Sequence, residues 1–180
     1  MKTSILTKVF TVTWLLAWCG IAGGAQTAAK ELARDNGVSA GKKSIAGSGH
    51  AVQFEAPGKN YCLTGVRIYG SRYGHPNAPN ETAYFWLCDS DFKMISTFPI
   101  AYSSFTRGEP KWVTFPTKPT PLPEKFVICA GFNPTATKGV FVHYDGAAGG
   151  NSFSGLPGSK GGPFDKGNWM IRAMVQEARE

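Results

Sequence analysis

Charge is what this 180-residue sequence has least of. Only 17% of its residues are charged, and Asp and Glu number 12 against 19 Lys and Arg. Low charge combined with 13% aromatic residues excludes an intrinsically disordered chain. After Ile21 no apolar run approaches the roughly 20 residues that span a bilayer as a helix. No amphipathic helical window separates the apolar runs, so a parallel sheet with interleaved helices is excluded. The chain has no G-x-S-x-G elbow, no H-E-x-x-H, no C-x-x-C, no Walker loop and no dinucleotide fingerprint. Its basic residues are scattered, with only Lys42 and Lys43 adjacent. Without a basic stripe interleaved with aromatics, nucleic acid is not an expected partner.

The N-terminus is present as a secretory signal. Lys2 and Lys8 supply a basic start, residues 9–21 an apolar core, and Gly23, Gly24 and Ala25 a small-residue cleavage site before Gln26. The core is too short for a membrane anchor. Lipidation at Cys19 is disfavoured, because the bulky Trp18 stands where lipoprotein signals want a small residue. The expected product is secreted or periplasmic, with no membrane span after processing.

The 22 Gly and 12 Pro follow no G-X-Y period and instead punctuate short apolar runs. Residues 26–48 read as a small, polar leader, with a helical turn in 26–34 and an edge strand at 43–46. Strands are expected at 50–55, 61–69, 82–88, 93–98, 111–115, 125–132, 139–144 and 168–176. Prolines bound the fifth of these, and 70–80, 99–110 and 146–167 read as long loops. In 61–69, Val66 and Ile68 share one face while Arg67 and Tyr69 share the other. In 82–88 both faces are apolar, as in a covered central strand or one carrying a binding platform. About eight strands without helices imply an all-β protein. The expected fold is an antiparallel β-sandwich, with jelly-roll winding, over residues 49–177.

Three cysteines follow the signal: Cys62, Cys88 and Cys129, each inside a strand-like run. They read as small buried side chains, with a Cys88–Cys129 bridge between neighbouring strands as the alternative. The histidines, His50, His75 and His143, show no metal-ligand spacing. Asp89 and Asp91 flank a turn, where capping is the ordinary role and a calcium site the sharper one. With Asp145 and Asp165 they are also the carboxylates that a hydrolase would use. Asn80-Glu81-Thr82 fits a glycosylation sequon.

Aromatic residues outside the strand cores carry the functional signal. Tyr69, Arg72, Tyr73 and His75 crowd one segment, and Arg67 and Trp86 lie on strand faces near it. Flat rings beside polar groups suit sugars, whose apolar faces stack while hydroxyls take hydrogen bonds. Folding back as lids over the ends of a sandwich is the competing use of such rings.

Gly49-His50-Ala51-Val52-Gln53-Phe54, Leu63-Thr64-Gly65-Val66-Arg67-Ile68-Tyr69 and Gly167-Asn168-Trp169-Met170-Ile171-Arg172 carry a resemblance. Such runs resemble those of jelly-roll accessory domains in secreted bacterial proteins, similar to carbohydrate-binding modules and galactose-binding-like domains. The resemblance implies a fold and an extracytoplasmic setting, and no catalytic residue. The expected function is non-catalytic recognition of a glycan or envelope polymer, with Arg67, Tyr69, Arg72, Tyr73, His75 and Trp86 as candidate contacts. An envelope protein is the alternative partner, and a hydrolase using loop carboxylates the third reading. No cofactor is expected beyond calcium.

Overall fold

The computed structural model describes residues 29–147 and 149–178. The expected signal segment and Cys19 lie outside the described residues. Among the described residues twelve strands follow one another: β1 (Lys30–Leu32), β2 (Gly41–Lys43), β3 (His50–Glu55), β4 (Tyr61–Gly74), β5 (Thr82–Asp89), β6 (Met94–Ala101), β7 (Lys111–Pro121), β8 (Lys125–Gly131), β9 (Lys138–Tyr144), β10 (Ser152–Leu156), β11 (Ser159–Pro163) and β12 (Ile171–Glu177). Among the described residues a single 3₁₀ turn, at Tyr102–Ser104, interrupts them.

All strand pairings between named strands are antiparallel, in two six-stranded sheets. The first runs β1-β12-β4, with β7 on β4 and with β9 and β2 continuing from the upper end of β4. The second runs β11-β10-β3-β8-β5-β6. Within them stand the four-strand orders β1-β12-β4-β7 and β3-β8-β5-β6. That is the double Greek-key winding of a jelly roll. The remaining four strands extend it, β2 and β9 on the first sheet, β10 and β11 on the second.

Period-two patterning explains the core. Val66 and Ile68 of β4, Phe85 and Leu87 of β5, Phe126 and Ile128 of β8 and Ile171, Ala173 and Val175 of β12 turn inward and are buried. Each large aliphatic or aromatic side chain so buried contributes roughly 1.5–3 kcal/mol. Trp169 closes the core, stacked on Phe164 at 3.7 Å and donating its indole N–H to the Phe153 carbonyl at 3.0 Å. His50 meets the Trp169 ring edge-on at 4.6 Å.

The structure corrects several boundaries. The stretch read as a leader supplies both β1 and β2, and no helical turn among its described residues: Lys30–Leu32 pairs with β12 and Gly41–Lys43 with β9. Two charged residues hold it down, as described below. The strand read at 111–115 runs on through Pro116 and Pro119 to Pro121. It can do so because β7 pairs only with β4, and an edge strand tolerates the missing N–H of proline. The glycine-rich 146–167 stretch contains the β10–β11 hairpin, turned at Gly158 with φ 78°.

Candidate functional site

The two apolar faces of β5 have different fates. Ala83, Phe85 and Leu87 enter the main core. On the outer face, Cys88 joins Ala51, Phe92, Val127, Cys129 and Phe153 in a second, smaller core. The β10–β11 hairpin covers that end: Gly158 donates its N–H to the Phe92 carbonyl at 2.8 Å, and Phe92 meets Phe153 edge-on at 5.8 Å. Cover stops short of Tyr84 and Trp86. Tyr84 is 40% exposed and Trp86 half-buried. Their ring centroids are 6.0 Å apart with planes inclined by 33°, so they form a nearly continuous aromatic shelf.

The shelf borders a shallow cleft of about 260 Å³, whose other walls include Leu156, Asn133, Ser48 and Thr82. Gly131 lets the indole lie close: a Cβ there would stand 3.0 Å from Trp86 Cζ3. An apolar shelf with an amide and two hydroxyls at its margin can stack a sugar ring and hydrogen-bond its substituents.

Trp86 is thereby separated from the other candidate contacts, which belong to the first sheet. Arg67 and Tyr69 stand on its outer face. Arg67 Nη1 donates to Glu31 Oε2 at 2.6 Å, and Arg172 Nη1 donates to Glu31 Oε1 at 2.7 Å. Both guanidinium groups lie over the Trp112 ring, at 5.1 and 4.3 Å. Burial pushes the Glu31 carboxyl upward, but the hydrogen bonds and charges of Arg172 and Arg67 outweigh it and hold it below its ordinary value. Arg67 is thus already paired. Tyr69 packs between Trp112 at 5.3 Å and His143 at 5.0 Å. Burial, with the Lys42 charge, lowers the His143 pKa.

Arg72, Tyr73 and His75 lie at the far end of β4. Arg72 closes its own loop by donating to the carbonyls of His75 at 2.7 Å and Pro76 at 2.5 Å. Tyr73 donates its hydroxyl to the Thr135 carbonyl at 3.0 Å. Arg72 and Tyr73 therefore line one cleft at the end of β4, Arg72 meets His75 through its backbone carbonyl, and Trp86 lies on the other sheet.

Two of the acidic candidates, Asp89 and Asp145, are engaged by backbone N–H groups. Asp89 Oδ1 accepts from the backbone N–H groups of Asp91 at 3.0 Å and Lys93 at 2.9 Å, capping its turn. Asp145 is fully buried, and its two oxygens accept from the backbone N–H groups of Asn36 at 2.8 Å, Asn168 at 2.8 Å and Ala147 at 3.2 Å. Asp165 is exposed. Among the described residues no three His, Cys, Asp or Glu side chains come together as a metal-binding group.

The Cys88–Cys129 bridge is not formed. Cys62, Cys88 and Cys129 are all free and buried. Cys88 pairs with Val127, and Cys129 with Trp86, so the two thiols are diagonal neighbours on one face. Their mutual contact and burial push the Cys129 thiol upward, away from reactivity.

Tyr84, Asn133 and Leu156 were not singled out among the sequence candidates. The apolar outer face of β5 was the signal for Tyr84. Leu156 ends β10 and Asn133 follows β8, and neither carries a signal in the sequence.

No protein-family model matches the chain. No curated protein matches it in sequence. Its fold is similar to that of the clostridial cysteine protease Cwp84 after propeptide cleavage, with TM-score 0.52 and 13% sequence identity. The match covers 83% of this chain and 40% of the protease chain. At that identity the likeness shows the fold. Among the described residues no helix is long and apolar enough to cross a membrane.

Proposed function

We propose that this protein is a secreted, non-catalytic binding module that recognises a glycan of the cell envelope. The observation that carries the reading is the Tyr84–Trp86 shelf, two neighbouring rings left partly uncovered on a face whose other end is sealed. Uncovering large aromatic surface forgoes burial free energy, so a ligand that buries it is the natural complement. Leu156, Asn133, Ser48 and Thr82 complete a cleft of monosaccharide scale. The same fold occupies 40% of a chain that is a cysteine protease, in keeping with a module that accompanies other activities. Affinity in the millimolar-to-micromolar range fits an open shelf of this kind. Affinity electrophoresis of the signal-free protein through a panel of neutral polysaccharides tests the reading. Retardation that is lost in Trp86→Ala and weakened in Tyr84→Ala is expected. Unchanged retardation of both variants on every polymer that slows the parent would exclude this face.

Recognition of an envelope protein is the second reading. It is favoured by Met94 and Ile95, 56% and 43% exposed at the start of edge strand β6, beside the β5 shelf. A blank polysaccharide panel combined with self-association in light scattering would favour it.

A further inference from the structure

A second cleft, of about 250 Å³, opens on the first sheet where β4 leaves β7 and takes up β9. Ser71, Tyr73, Phe141, Lys42 and Arg107 line it. Ser71 is fully buried, yet its Oγ has no hydrogen-bond partner. A buried hydroxyl left unpaired is costly, and a ligand oxygen in the cleft would relieve it. Tyr73 and Phe141 form a wall, their ring centroids 4.5 Å apart. That wall is rigid: the Tyr73 hydroxyl is held by Thr135, and its ring lies flat over Gly139, where a Cβ would stand 2.6 Å from the ring.

The charge of the cleft has one sign. Lys42 Nζ lies 4.9 Å from the centre of the Phe141 ring, and among the described residues it makes no ion pair. Arg107 is anchored through Nε to the Gly74 carbonyl at 2.9 Å, which leaves both terminal nitrogens for another acceptor. Arg72 also lines the cleft, and no acidic side chain does. By contrast, the Arg67 and Arg172 charges on the same sheet are met by Glu31 and Asp35.

We infer that this cleft is a binding subsite for an acidic sugar, one carrying a sulfate, phosphate or carboxylate group, within a polysaccharide. Lys42, Arg107 and the Ser71 hydroxyl take the oxyanion, and the Tyr73–Phe141 wall packs against the apolar side of the sugar. The subsite lies on the opposite sheet from Tyr84 and Trp86 and does not depend on their role.

The test is affinity electrophoresis of the signal-free protein in gels containing dextran sulfate, polygalacturonate or neutral dextran, with inorganic phosphate titrated separately. Stronger retardation by at least one charged polymer than by dextran is expected. Arg107→Ala and Lys42→Ala should each weaken it about tenfold, and Ser71→Ala about threefold. Lys118→Ala removes the same charge from exposed β7 and should change it less than about twofold, because a remote surface charge is screened. Trp86→Ala should leave it unchanged, which separates this subsite from the neutral-glycan shelf. Equal losses in Lys118→Ala and Arg107→Ala would overturn the inference in favour of general charge attraction. So would equal retardation by dextran and both charged polymers, or a response to free phosphate without retention on any polymer.

Discussion

Arg172 grips Asp35 through two parallel hydrogen bonds, Nε to Oδ2 at 3.0 Å and Nη2 to Oδ1 at 2.7 Å. The Asp35 side chain is fully buried in this contact. Hydrogen bonding by Asp35, helped by Glu31, raises the Arg172 pKa further above its already high ordinary value. The pair ties the last strand to a segment that its local composition marks as a flexible leader. Asp35→Ala should therefore destabilise the fold by about 1–3 kcal/mol, because it removes two charge-assisted hydrogen bonds while Glu31 still meets the guanidinium. Urea unfolding measures this. A loss under about 0.5 kcal/mol would mean that the first strand is held by other means.

Acid should weaken the fold through His50. Burial is the main cause that lowers its pKa from 6.5 to about 4, so the folded ring stays neutral where the unfolded one is protonated. The unfolded state then binds more protons, and stability falls as pH drops from 6.5 to 4, by about 3 kcal/mol in all. The Glu31 carboxyl, held below its ordinary value, adds a further loss at the acidic end. His50→Gln should flatten the upper part of this profile in thermal melts between pH 7 and pH 4. An unchanged slope would place the proton uptake elsewhere.

Binding and stability should separate at the shelf. Tyr84 and Trp86 lie outside the main core, with Trp86 packed only against the smaller one. Tyr84→Ala should cost under about 1 kcal/mol of stability, as surface substitutions do, while weakening neutral-glycan retention several-fold. Chemical denaturation and electrophoresis on the same variant give both numbers. Loss of folding in Tyr84→Ala would make the ring a structural lid instead.

The thiols should be silent until the chain unfolds. Cys88 and Cys129 are fully buried and Cys62 is 8% exposed. A thiol reagent is expected to find none of them reactive in the native protein and all three in denaturant. A bridge between Cys88 and Cys129 would leave only Cys62 to react.

Much of the architecture was legible along the chain. Alternation in Tyr61–Gly74 and the two-sided apolar character of Thr82–Asp89 are local properties, set by which way successive side chains point from a pleated strand. They sufficed for an all-β sandwich of jelly-roll type. Only tertiary structure decided what the faces meet. Glu31 and Asp35 look like ordinary leader residues until Arg67 and Arg172 are paired side by side in β4 and β12. Trp86 sits close in sequence to Tyr73 and His75 but falls on the other sheet, because the chain crosses the core between β4 and β5. Leu156, at the end of β10, and Asn133, after β8, line the same cleft as Trp86. Period two is written into neighbouring residues, whereas a cleft is written into register and crossover, which join residues far apart in the chain.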